Sequence, residues 1–561
     1  MRYDSWNTAG YDRTAAAGLY RAGINPLLSV VLASRGVTDE TAAKEFLDQE
    51  RERFTDPMAL RDMDRAAERI RRATEAGERV AVYGDYDADG ITAACLLSDV
   101  LERMGLRCET YIPKRLEEGY GVRRAGLDAL HEKGVTLTVT VDCGITAVEE
   151  TEYARSLGMD LVITDHHECG AALPDTAAVD PKRSDNGDTE TGLAGVGVAF
   201  KLACALAGPG SERAVLDRYG DLVALGTIGD VMPVLGENRT LIRAGLNKLR
   251  TSPRPGLLSL CEAAGIDMKK LTASGVSYGL VPRLNAAGRM GSVEGAVELL
   301  RTGDPERAVF LAEEMNRYNR ERQQTETRMT DEALEMLRTA PAGDRPMVLA
   351  SEGWHQGIAG IVAARLCDRF SLPAVVICLK DGEGRGSCRS VGNFNIYEAL
   401  SSCRDLLTAF GGHEMAAGLT VPEENVDALR GRLGELYQAA GGAGAASELR
   451  VDAELPKPEI LTEENVSALS LLEPCGSGNP TPVFSMTEME ILSVYTVGGG
   501  RHTRLRLGKN GTEFEGMFFG RTPEALGAVP GRRADAAFTP QINEYRGRRS
   551  VQLRLSDLAV K

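Results

Sequence analysis

Short apolar runs rich in β-branched residues alternate with longer helical patterns in the first half of the chain. The runs predict three buried strands, at residues 79–83, 136–141 and 161–164. Helical patterns follow at residues 91–104, at roughly 123–133 and at roughly 147–157. Strands that alternate with helices in this way are typical of a parallel, doubly wound sheet. The pattern therefore predicts an α/β domain in this part of the chain.

The hydrophobic patterns change several times further along the chain. A long helix is predicted over residues 305–337, and its polar middle is typical of a helix that bridges two domains. A second α/β unit follows, and a glycine- and alanine-rich linker at 440–446 ends it. Short alternating strands then predict a small β-barrel. The predicted regions are a helical lead-in at 1–50, the first α/β domain at 51–245, a helical region at 246–340, the second α/β domain at 341–439 and the barrel at 447–561.

Charge is distributed unevenly along the chain. The net charge is -16, yet residues 501–561 carry 12 Lys or Arg against 6 Asp or Glu. In Thr503-Arg-Leu-Arg-Leu507 and in residues 550–555, arginines alternate with apolar residues, which places the cations on one face of a strand. A basic terminal segment on an acidic body favours local contact with a polyanion, although an ordinary solvated face has the same composition.

Composition excludes several classes of protein. The 561 residues are 43% hydrophobic and 26% charged, which is typical of soluble globular domains. We expect no membrane contact, because no apolar run approaches the length of a membrane span and the first residues lack a secretory pattern. The 11 cysteines lie at least ten residues apart, so CxxC metal and redox motifs are absent from the sequence. Reduced thiols and a cytoplasmic location are predicted.

Acidic and histidine residues stand at the ends of four chain segments, and the first three segments are predicted strands. The carboxyl ends of parallel strands meet at one edge of a sheet, so we expect these side chains to converge. Clustered carboxylates are costly unless cations neutralise them, whereas a lone Asp-x-Asp loop is often an ordinary turn. Oxygen and imidazole ligands without thiolate favour manganese or magnesium. The candidates are Asp85, Asp87 and Asp89, then Asp142, then Asp165, His166 and His167, and finally Asp230.

Two further groups are candidates for contact with phosphate. The first contains two arginines in a predicted loop without an obvious carboxylate partner, and guanidinium groups in such loops bind phosphate. A surface salt bridge is the alternative. The second combines glycines with small or cationic residues in predicted loops of the second α/β unit, where the backbone approaches a phosphate closely. These candidates are Arg283, Asn285 and Arg289, and then Ser387, Arg389, Gly411, Gly412 and His413.

Two other features leave more than one interpretation open. Trp354 is one of only two tryptophans, and either stacking on a base or packing in a core accounts for it. The loop Gly192-Leu-Ala-Gly-Val-Gly197 opens a predicted helix whose N-terminus suits an anion. It lacks the Gly-Lys-Ser/Thr ending of a P-loop, so an ATP site is not inferred.

The motifs resemble those of a known superfamily. Gly84-Asp-Tyr-Asp-Ala-Asp-Gly90, Thr164-Asp-His-His167 and Gly226-Thr-Ile-Gly-Asp-Val231 are similar to motifs of the DHH phosphoesterases. Pro282-Arg-Leu-Asn-Ala-Ala-Gly-Arg-Met290 and residues 351–418 resemble one branch, the RecJ family. The resemblance covers nearly the whole chain except the first 50 residues. It implies a parallel-sheet DHH domain, a second α/β DHH-associated domain joined to it by the long helix, and a C-terminal barrel of the oligonucleotide-binding (OB-like) type.

The resemblance also implies a role for each candidate residue around two ions, Mn²⁺ or Mg²⁺. Asp87 and Asp89 would each bind one ion, and Asp142 would bridge both. His166 and Asp230 would complete the second site, and Asp85 would join the first. His167 would contact the scissile phosphate or help the leaving group. Asp165 would orient a histidine, and strand capping is its alternative role. The implied metal ligands are Asp85, Asp87, Asp89, Asp142, His166 and Asp230, and the implied catalytic residues are Asp142, His166 and His167.

The implied activity is that of a single-stranded-DNA-specific 5′→3′ exonuclease that releases nucleotides by two-metal hydrolysis in DNA repair and recombination. Single-stranded DNA is the implied partner, together with single-strand-binding protein and a helicase. One alternative is a DHH phosphodiesterase acting on short oligonucleotides or cyclic dinucleotides, which would not need a basic barrel. A non-catalytic relative that serves as a replication scaffold is a third interpretation, and the full set of acidic and histidine residues argues against it.

Overall fold

The computed structural model describes residues 3–115, 117–187, 189–340, 342–442, 447–545 and 547–561. The described residues form two compact units. One lies within Glu52–Ala445 and Gly476–Gly478, and the other within Met1–Arg51, Ala446–Cys475 and Asn479–Lys561. Of the predicted linker, residues 443–446 lie outside the described residues, as does Pro341 at the start of the second predicted α/β domain. The predicted domain boundaries stay predictions.

A five-stranded parallel sheet is the centre of the first α/β domain. The three strands predicted from apolar runs are confirmed to within one residue at either end. The two outer strands were not predicted, because one is only half-buried and the other has three residues. In spatial order the strands are Arg107–Tyr111, Arg79–Tyr83, Leu137–Val141, Asp160–Thr164 and Ala177–Val179.

Helices cover this sheet and bury its apolar side chains. Asp87 caps the helix Ala88–Arg103, since its side chain accepts hydrogen bonds from the Asp89 and Gly90 N–H groups. Nearly every residue of the first three turns of that helix is buried, so the Asp-rich loop is fixed against the core. The other helices of the domain are Met63–Ala76, Arg124–Glu132, Val148–Ser156, Gly195–Ala207, Glu212–Gly229 and Gly236–Thr251.

A group of helices follows the sheet domain. The prediction of one long helix is confirmed by Pro305–Thr339, which begins with Asp304 as a side-chain cap and Pro305 in its first turn. Its 35 residues span about 52 Å at 1.5 Å per residue. The helices before it are Pro255–Ala264, Ala273–Gly275, the π-helix Val276–Leu280, Val281–Met290 and Val293–Arg301.

The second α/β domain is a mixed five-stranded sheet. Among its described strands, Met347–Ser351 and Ala374–Lys380 form the one parallel pair, and the other neighbours are antiparallel. The spatial order of the strands is Ala409–His413, Ala416–Pro422, Glu383–Arg389, Ala374–Lys380 and Met347–Ser351. Its helices are Gln356–Phe370, Ile396–Ser401 and Val426–Ala439.

The second compact unit contains a closed barrel. Phe484–Val497 pairs with both His502–Lys509 and Arg533–Tyr545, and this closes the sheet. Leu505 and Leu507 are buried whereas Arg504 and Arg506 are exposed, so the prediction of one basic face is confirmed for this strand. The strands in spatial order are Ala453–Glu454, Phe484–Val497, His502–Lys509, Thr512–Phe518, Arg548–Val560 and Arg533–Tyr545.

The N-terminal residues belong to the same unit as the barrel. Ser5–Thr8 pairs in parallel with Glu448–Val451. Leu27 and Leu28 lie in one hydrophobic core with barrel residues such as Phe538. The N-terminal helices are Arg13–Arg21, Pro26–Ser34 and Glu40–Leu47. These residues are therefore part of the barrel's own hydrophobic core.

Two expectations from composition can be compared with the described residues. Among them, no helix has both the length and the apolar character needed to cross a lipid bilayer. Cys95, Cys204 and Cys367 form no disulfide and are buried within helices.

Candidate metal centre

The carboxyl edge of the parallel sheet collects side chains from distant parts of the sequence. Asp142 and Asp165 directly follow two neighbouring strands, and Asp85 lies two residues after the end of a third. Asp230 caps the C-terminus of the helix Glu212–Gly229 and so reaches the edge from a helix. Ligand atoms fall into three groups within 4.8 Å, namely Asp85 with Asp87 and Asp142, Asp89 with His166 and Asp230, and Asp142 with His166 and His167.

His166 lies at the centre of this arrangement. Its Nε2 atom is 3.0 Å from Asp142 Oδ1, 3.5 Å from Asp230 Oδ2 and 3.9 Å from Asp89 Oδ2. Three carboxylates therefore surround one imidazole nitrogen. The sequence-predicted metal residues thus come together at one place, with Asp142 and His166 each shared between two groups.

The buried donor atoms of the centre lack partners within the protein. Asp85 Oδ1, Asp142 Oδ1 and both ring nitrogens of His166 are buried without a hydrogen bond, since the 3.0 Å contact lacks the angle of one. Buried polar atoms are nearly always paired, so four orphans in one cluster indicate a missing partner. Carboxylate and imidazole donors without a thiolate fit hard divalent cations such as Mn²⁺ or Mg²⁺.

The pKa values of the carboxyl groups also indicate a site for cations. Burial raises the pKa values of Asp85, Asp89 and Asp142 well above the usual range, and neighbouring carboxylates raise them further. Burial, with Asp87 nearby, raises the pKa of Asp230 to about 6. The charged forms are therefore unfavourable without a cation. Two divalent ions would offset this cost.

The pKa values of the two adjacent histidines are shifted in opposite directions. Burial lowers the pKa of His166 to about 4, and the neighbouring His167 lowers it too. Burial also disfavours the His167 cation, but the hydrogen bond and charge of Asp165 outweigh it and raise the pKa to about 9. These shifts favour a neutral His166 and a protonated His167 near neutral pH.

Asp165 fixes the orientation of His167. Its Oδ1 lies 2.7 Å from His167 Nδ1 and also accepts the His166 N–H, while Oδ2 accepts the Ile145 N–H. Burial alone would raise the pKa of Asp165, but these hydrogen bonds and the His167 charge hold it below the ordinary value. Asp165 therefore both caps the strand end and orients a histidine.

Backbone groups hold the aspartates at close range. The Gly195 and Val196 N–H groups, at the start of a helix, donate to the Asp89 carboxylate at 2.7 and 2.9 Å. The anion predicted for this helix N-terminus is therefore the protein's own side chain. A Cβ on Gly195 would lie 2.5 Å from Asp142 Cβ, so only glycine fits there. Asp142 itself has a φ of 61°, a strained value for a residue with a side chain.

The prediction that Arg283, Asn285 and Arg289 lie in a loop is wrong, because they lie on the helix Val281–Met290. The small residues between the polar ones allow that helix to pack on the Asp-rich loop. Asn285 Oδ1 accepts the Ala88 N–H at 2.7 Å, which leaves its side chain engaged with the metal loop. Arg289 donates to the Gly357 carbonyl at 2.9 Å, and burial lowers its pKa to about 10.

The second group of phosphate candidates lies on strands, where loops were predicted. The strand Ala416–Pro422 separates the two strands that carry them. Gly411 and Ser387 both pair with Gly418, and His413 and Arg389 both pair with Ala416. Each pair therefore forms a row across three strands, about 10 Å wide. Alternating glycines interrupt the apolar pattern that would have identified the strands.

The open question about Trp354 is answered by its burial. The residue is 6% exposed in a hydrophobic core, and its Nε1 donates to Glu332 Oε2 at 2.7 Å. Trp354 is therefore a core residue and does not offer a face to a base.

Two residues next to the centre were not predicted from the sequence. Tyr120 Oη lies 2.9 Å from His167 Nδ1. Arg115 lies over the Tyr86 ring at 4.6 Å. Burial lowers the pKa values of Arg289 and Arg389, and the charge of Arg115 lowers them further. Arg115 comes four residues after the strand Arg107–Tyr111, so recognition of that edge strand would have placed it at the same sheet edge.

Comparison with known proteins extends over the whole chain. The sequence matches the DHH family, N-terminal domain, over residues 79–227, the DHHA1 domain over 344–439 and the RecJ OB domain over 451–557. The single-stranded-DNA-specific exonuclease RecJ of Bacillus subtilis is 38% identical over 96% of this chain and 68% of that protein. The protein of the same name from Escherichia coli is 35% identical over 96% of each chain.

Solved structures agree with the sequence comparison. The crystal structure of RecJ in complex with Mn²⁺ from Thermus thermophilus matches with a TM-score of 0.84 and 31% identity, over 99% of this chain and 79% of that one. The Mg²⁺ complex of RecJ from the same organism matches with a TM-score of 0.78 and 29% identity, over 99% and 78%. The domain series, the fold and the sequence agree over the full length, and the chain belongs to the RecJ family of the DHH superfamily.

Proposed function

We propose that this protein is a metal-dependent exonuclease that digests single-stranded DNA by hydrolysis of phosphodiester bonds. The observation that carries the proposal is the cluster of aspartates around His166 at one edge of the sheet, in which Asp85 Oδ1, Asp142 Oδ1 and both ring nitrogens of His166 are buried without a hydrogen bond. Membership of the RecJ family supplies the substrate class. The 5′→3′ direction is part of the proposal and follows from the family resemblance.

The chain's own residues would hold two ions, Mn²⁺ or Mg²⁺. Asp85 and Asp87 would bind the first, and Asp89, His166 and Asp230 the second, with Asp142 bridging the two. When bound, such ions acidify an attacking water and stabilise the charge on the departing oxygen. His166 acts as a neutral ligand because burial lowers its pKa to about 4.

His167 provides a positive charge beside the ions. Its pKa of about 9, raised by Asp165 against the effect of burial, keeps it protonated near neutral pH. Asp165 and Tyr120 orient the ring through contacts of 2.7 and 2.9 Å at Nδ1. We propose that His167 binds an oxygen of the scissile phosphate, where a cation stabilises the transition state more than the ground state.

Arginines from both α/β domains would bind the neighbouring phosphate. A cavity of about 530 Å³ lies between the two domains and is lined by Arg115, Arg289 and His355 among others. Ser387, Gly411, Gly412 and His413 would complete the binding surface around Arg389. A guanidinium without a carboxylate partner is well suited to phosphate. A narrow cleft at this site would pass a single strand and exclude a duplex, because a duplex is wider.

The alternative of a hydrolase for short oligonucleotides or cyclic dinucleotides is less favoured. The chain has a separate barrel with a basic face, which such substrates do not require. The relatives that align over nearly the full chain are named single-stranded-DNA-specific exonucleases.

The cellular setting is a further part of the proposal. We propose a cytoplasmic enzyme of DNA repair and recombination, supported by the family and by buried cysteines such as Cys95 and Cys204 that form no disulfide. Helicases and single-strand-binding protein are the proposed partners, because they generate and cover the single strands on which such an enzyme acts.

End-labelled DNA provides the test of this function. Single-stranded and duplex oligonucleotides, blocked at either the 5′ or the 3′ end, would be incubated with Mn²⁺ or Mg²⁺. We expect digestion of the single strand only, and inhibition by the 5′ block. Undiminished digestion of the 5′-blocked strand would contradict the direction, and equal digestion of duplex would contradict the strand preference.

A further inference from the structure

An exposed aromatic residue lies on an unusual turn of the helical region. Tyr278 is 82% exposed, more than any other large hydrophobic or aromatic residue among those the structure describes. It lies in the π-helix Val276–Leu280. Single π-helical turns are rare and are frequent at functional sites. A tyrosine normally buries much of its ring, so a largely exposed ring on such a turn is a candidate for contact with a ligand.

The turn beneath Tyr278 is held in place on its inner side. A Cβ on Gly279 would lie 2.4 Å from Ile266 Cδ1, so the turn packs directly on Ile266. Arg283 donates one hydrogen bond to the Gly279 carbonyl and another to Asn316 Oδ1, at 2.5 and 3.0 Å. Tyr278 therefore lies on a turn whose backbone is held in place by packing and hydrogen bonds.

Several arginine side chains lie close to the turn that carries Tyr278. Burial lowers the pKa of Arg283, and the nearby Arg320 and Arg322 lower it further. Arg322 is paired with Glu326. Within the described part of the chain, neither Arg283 nor Arg320 forms an ion pair with a carboxylate. Tyr278 precedes the residue whose carbonyl Arg283 binds, so an exposed ring for base stacking and a cation for phosphate attraction occur on one turn, and this combination binds single-stranded nucleic acid.

The same helical segment leads to the metal centre. The helix Val281–Met290 follows the π-helix directly, and its Asn285 accepts the Ala88 N–H beside Asp87 and Asp89. Seven residues separate Tyr278 from Asn285, which corresponds to about 10 Å along a helix. That distance spans about three nucleotides of a stacked strand.

We propose that Tyr278 stacks on a base of the bound single strand about three nucleotides from the cut, with Arg283 and Arg320 attracting the adjacent phosphates. This inference rests on the proposed function and specifies a position on its substrate path. It makes Tyr278 a substrate-binding residue that acts only on strands long enough to reach it.

The chain offers a matched control for this inference. Phe310 is 59% exposed on the long helix, and Arg307 lies over its ring at 5.2 Å. Arg307, however, is paired with Glu298, so its charge is neutralised. Phe310→Ala therefore removes an exposed aromatic residue beside an arginine without removing a site for a polyanion.

Kinetics on strands of different length test the inference. For Tyr278→Ala, we expect the ratio of kcat/KM on a 12-mer to that on a dinucleotide to fall about 5- to 100-fold, the effect of losing one base stack. Tyr278→Phe and Tyr278→Trp should retain most of the ratio, since both keep a ring. Phe310→Ala should leave the ratio unchanged. A ratio for Tyr278→Ala equal to that of the wild type would overturn the inference.

A binding measurement locates the stacked base. An Asp142→Asn protein would bind 12-mers that carry 2-aminopurine at successive positions. We expect fluorescence to change at positions near the third nucleotide, and Tyr278→Ala to abolish that change. A profile unaffected by Tyr278→Ala would refute stacking. If the wild-type protein fails to digest single strands, the proposed function fails instead, so the two failures are distinguishable.

Discussion

Removal of one metal-site charge should stabilise the metal-free protein. In Asp230→Asn the side chain keeps its size but loses its charge. Burial and the Asp87 charge raise the pKa of Asp230 to about 6, against an ordinary value of 3.8. A carboxyl group with a raised pKa in the folded state stabilises the fold at low pH, and this contribution is lost as the pH rises through about 6. The wild-type carboxylate should therefore be unfavourable at pH 8.

The structure gives the size of this effect. The difference between a pKa of about 6 and 3.8 corresponds to about 3 kcal/mol at pH 8. The unit that contains Asp230 has about 400 residues. At about 2.1 cal/mol/K per residue, 3 kcal/mol corresponds to a change in Tm of about 4 °C. Asp230→Asn should thus raise the Tm by up to about 4 °C in EDTA at pH 8, by about 2 °C at pH 5 and by little below about pH 4.

Thermal unfolding in EDTA and in Mn²⁺ would measure this change in Tm. With Mn²⁺ the order should reverse, because the wild type gains stability from bound ions and the variant loses a ligand. Asp331→Asn, which changes an exposed aspartate of the long helix, is the control and should show neither effect. If Asp230→Asn lowers the Tm in EDTA by the same amount at pH 5 and pH 8, the reasoning about the unneutralised charge is refuted.

Three further changes test other parts of the structure. Gly195→Ala should abolish the Mn²⁺-dependent rise in Tm, because the new Cβ would lie 2.5 Å from Asp142 Cβ. Gly197→Ala is the control and should retain the rise, because its Cβ would lie 3.3 Å from its nearest neighbour, Leu193 Cβ. Glu237→Leu should lower the free energy of unfolding in urea by about 3–5 kcal/mol, because Lys201 is left charged and buried. Adding Lys201→Met should recover much of this loss. Equal stability of the single and double variants would contradict the prediction. Deletion of residues 447–561 alone should cause aggregation in size-exclusion chromatography, because Leu27 and Leu28 lose the core that they share with the barrel. Deletion of residues 1–51 as well should reduce this aggregation. A monodisperse protein after the single deletion would contradict the shared core.

The strand ends that carry the metal residues were predictable from the sequence. Apolar runs at residues 79–83 and 161–164 give a strong signal because both faces of those strands are buried. Arg107–Tyr111 was missed because an edge strand is only half-buried and has polar residues. Arg115, which follows it, was missed for the same reason.

The remaining differences arise from contacts between distant residues. The segment that forms the helix Val281–Met290 was predicted as a loop. Asparagine and glycine disfavour helix, but tight packing against the Asp-rich loop requires small residues there. The pairing of Ser5–Thr8 with Glu448–Val451 leaves no local pattern, because about 440 residues separate the partners. Hydrophobic periodicity reports burial of a segment and does not identify the segment that covers it.

Anomalous diffraction from a crystal grown with Mn²⁺ tests the central claim most directly. Two peaks per chain are expected at the edge of the parallel sheet, one beside Asp85, Asp87 and Asp142 and the other beside Asp89, His166 and Asp230. Crystals of Asp142→Asn under the same conditions should lose at least one peak. A single peak elsewhere, or two peaks that do not contact these side chains, would contradict the assignment of a two-metal centre.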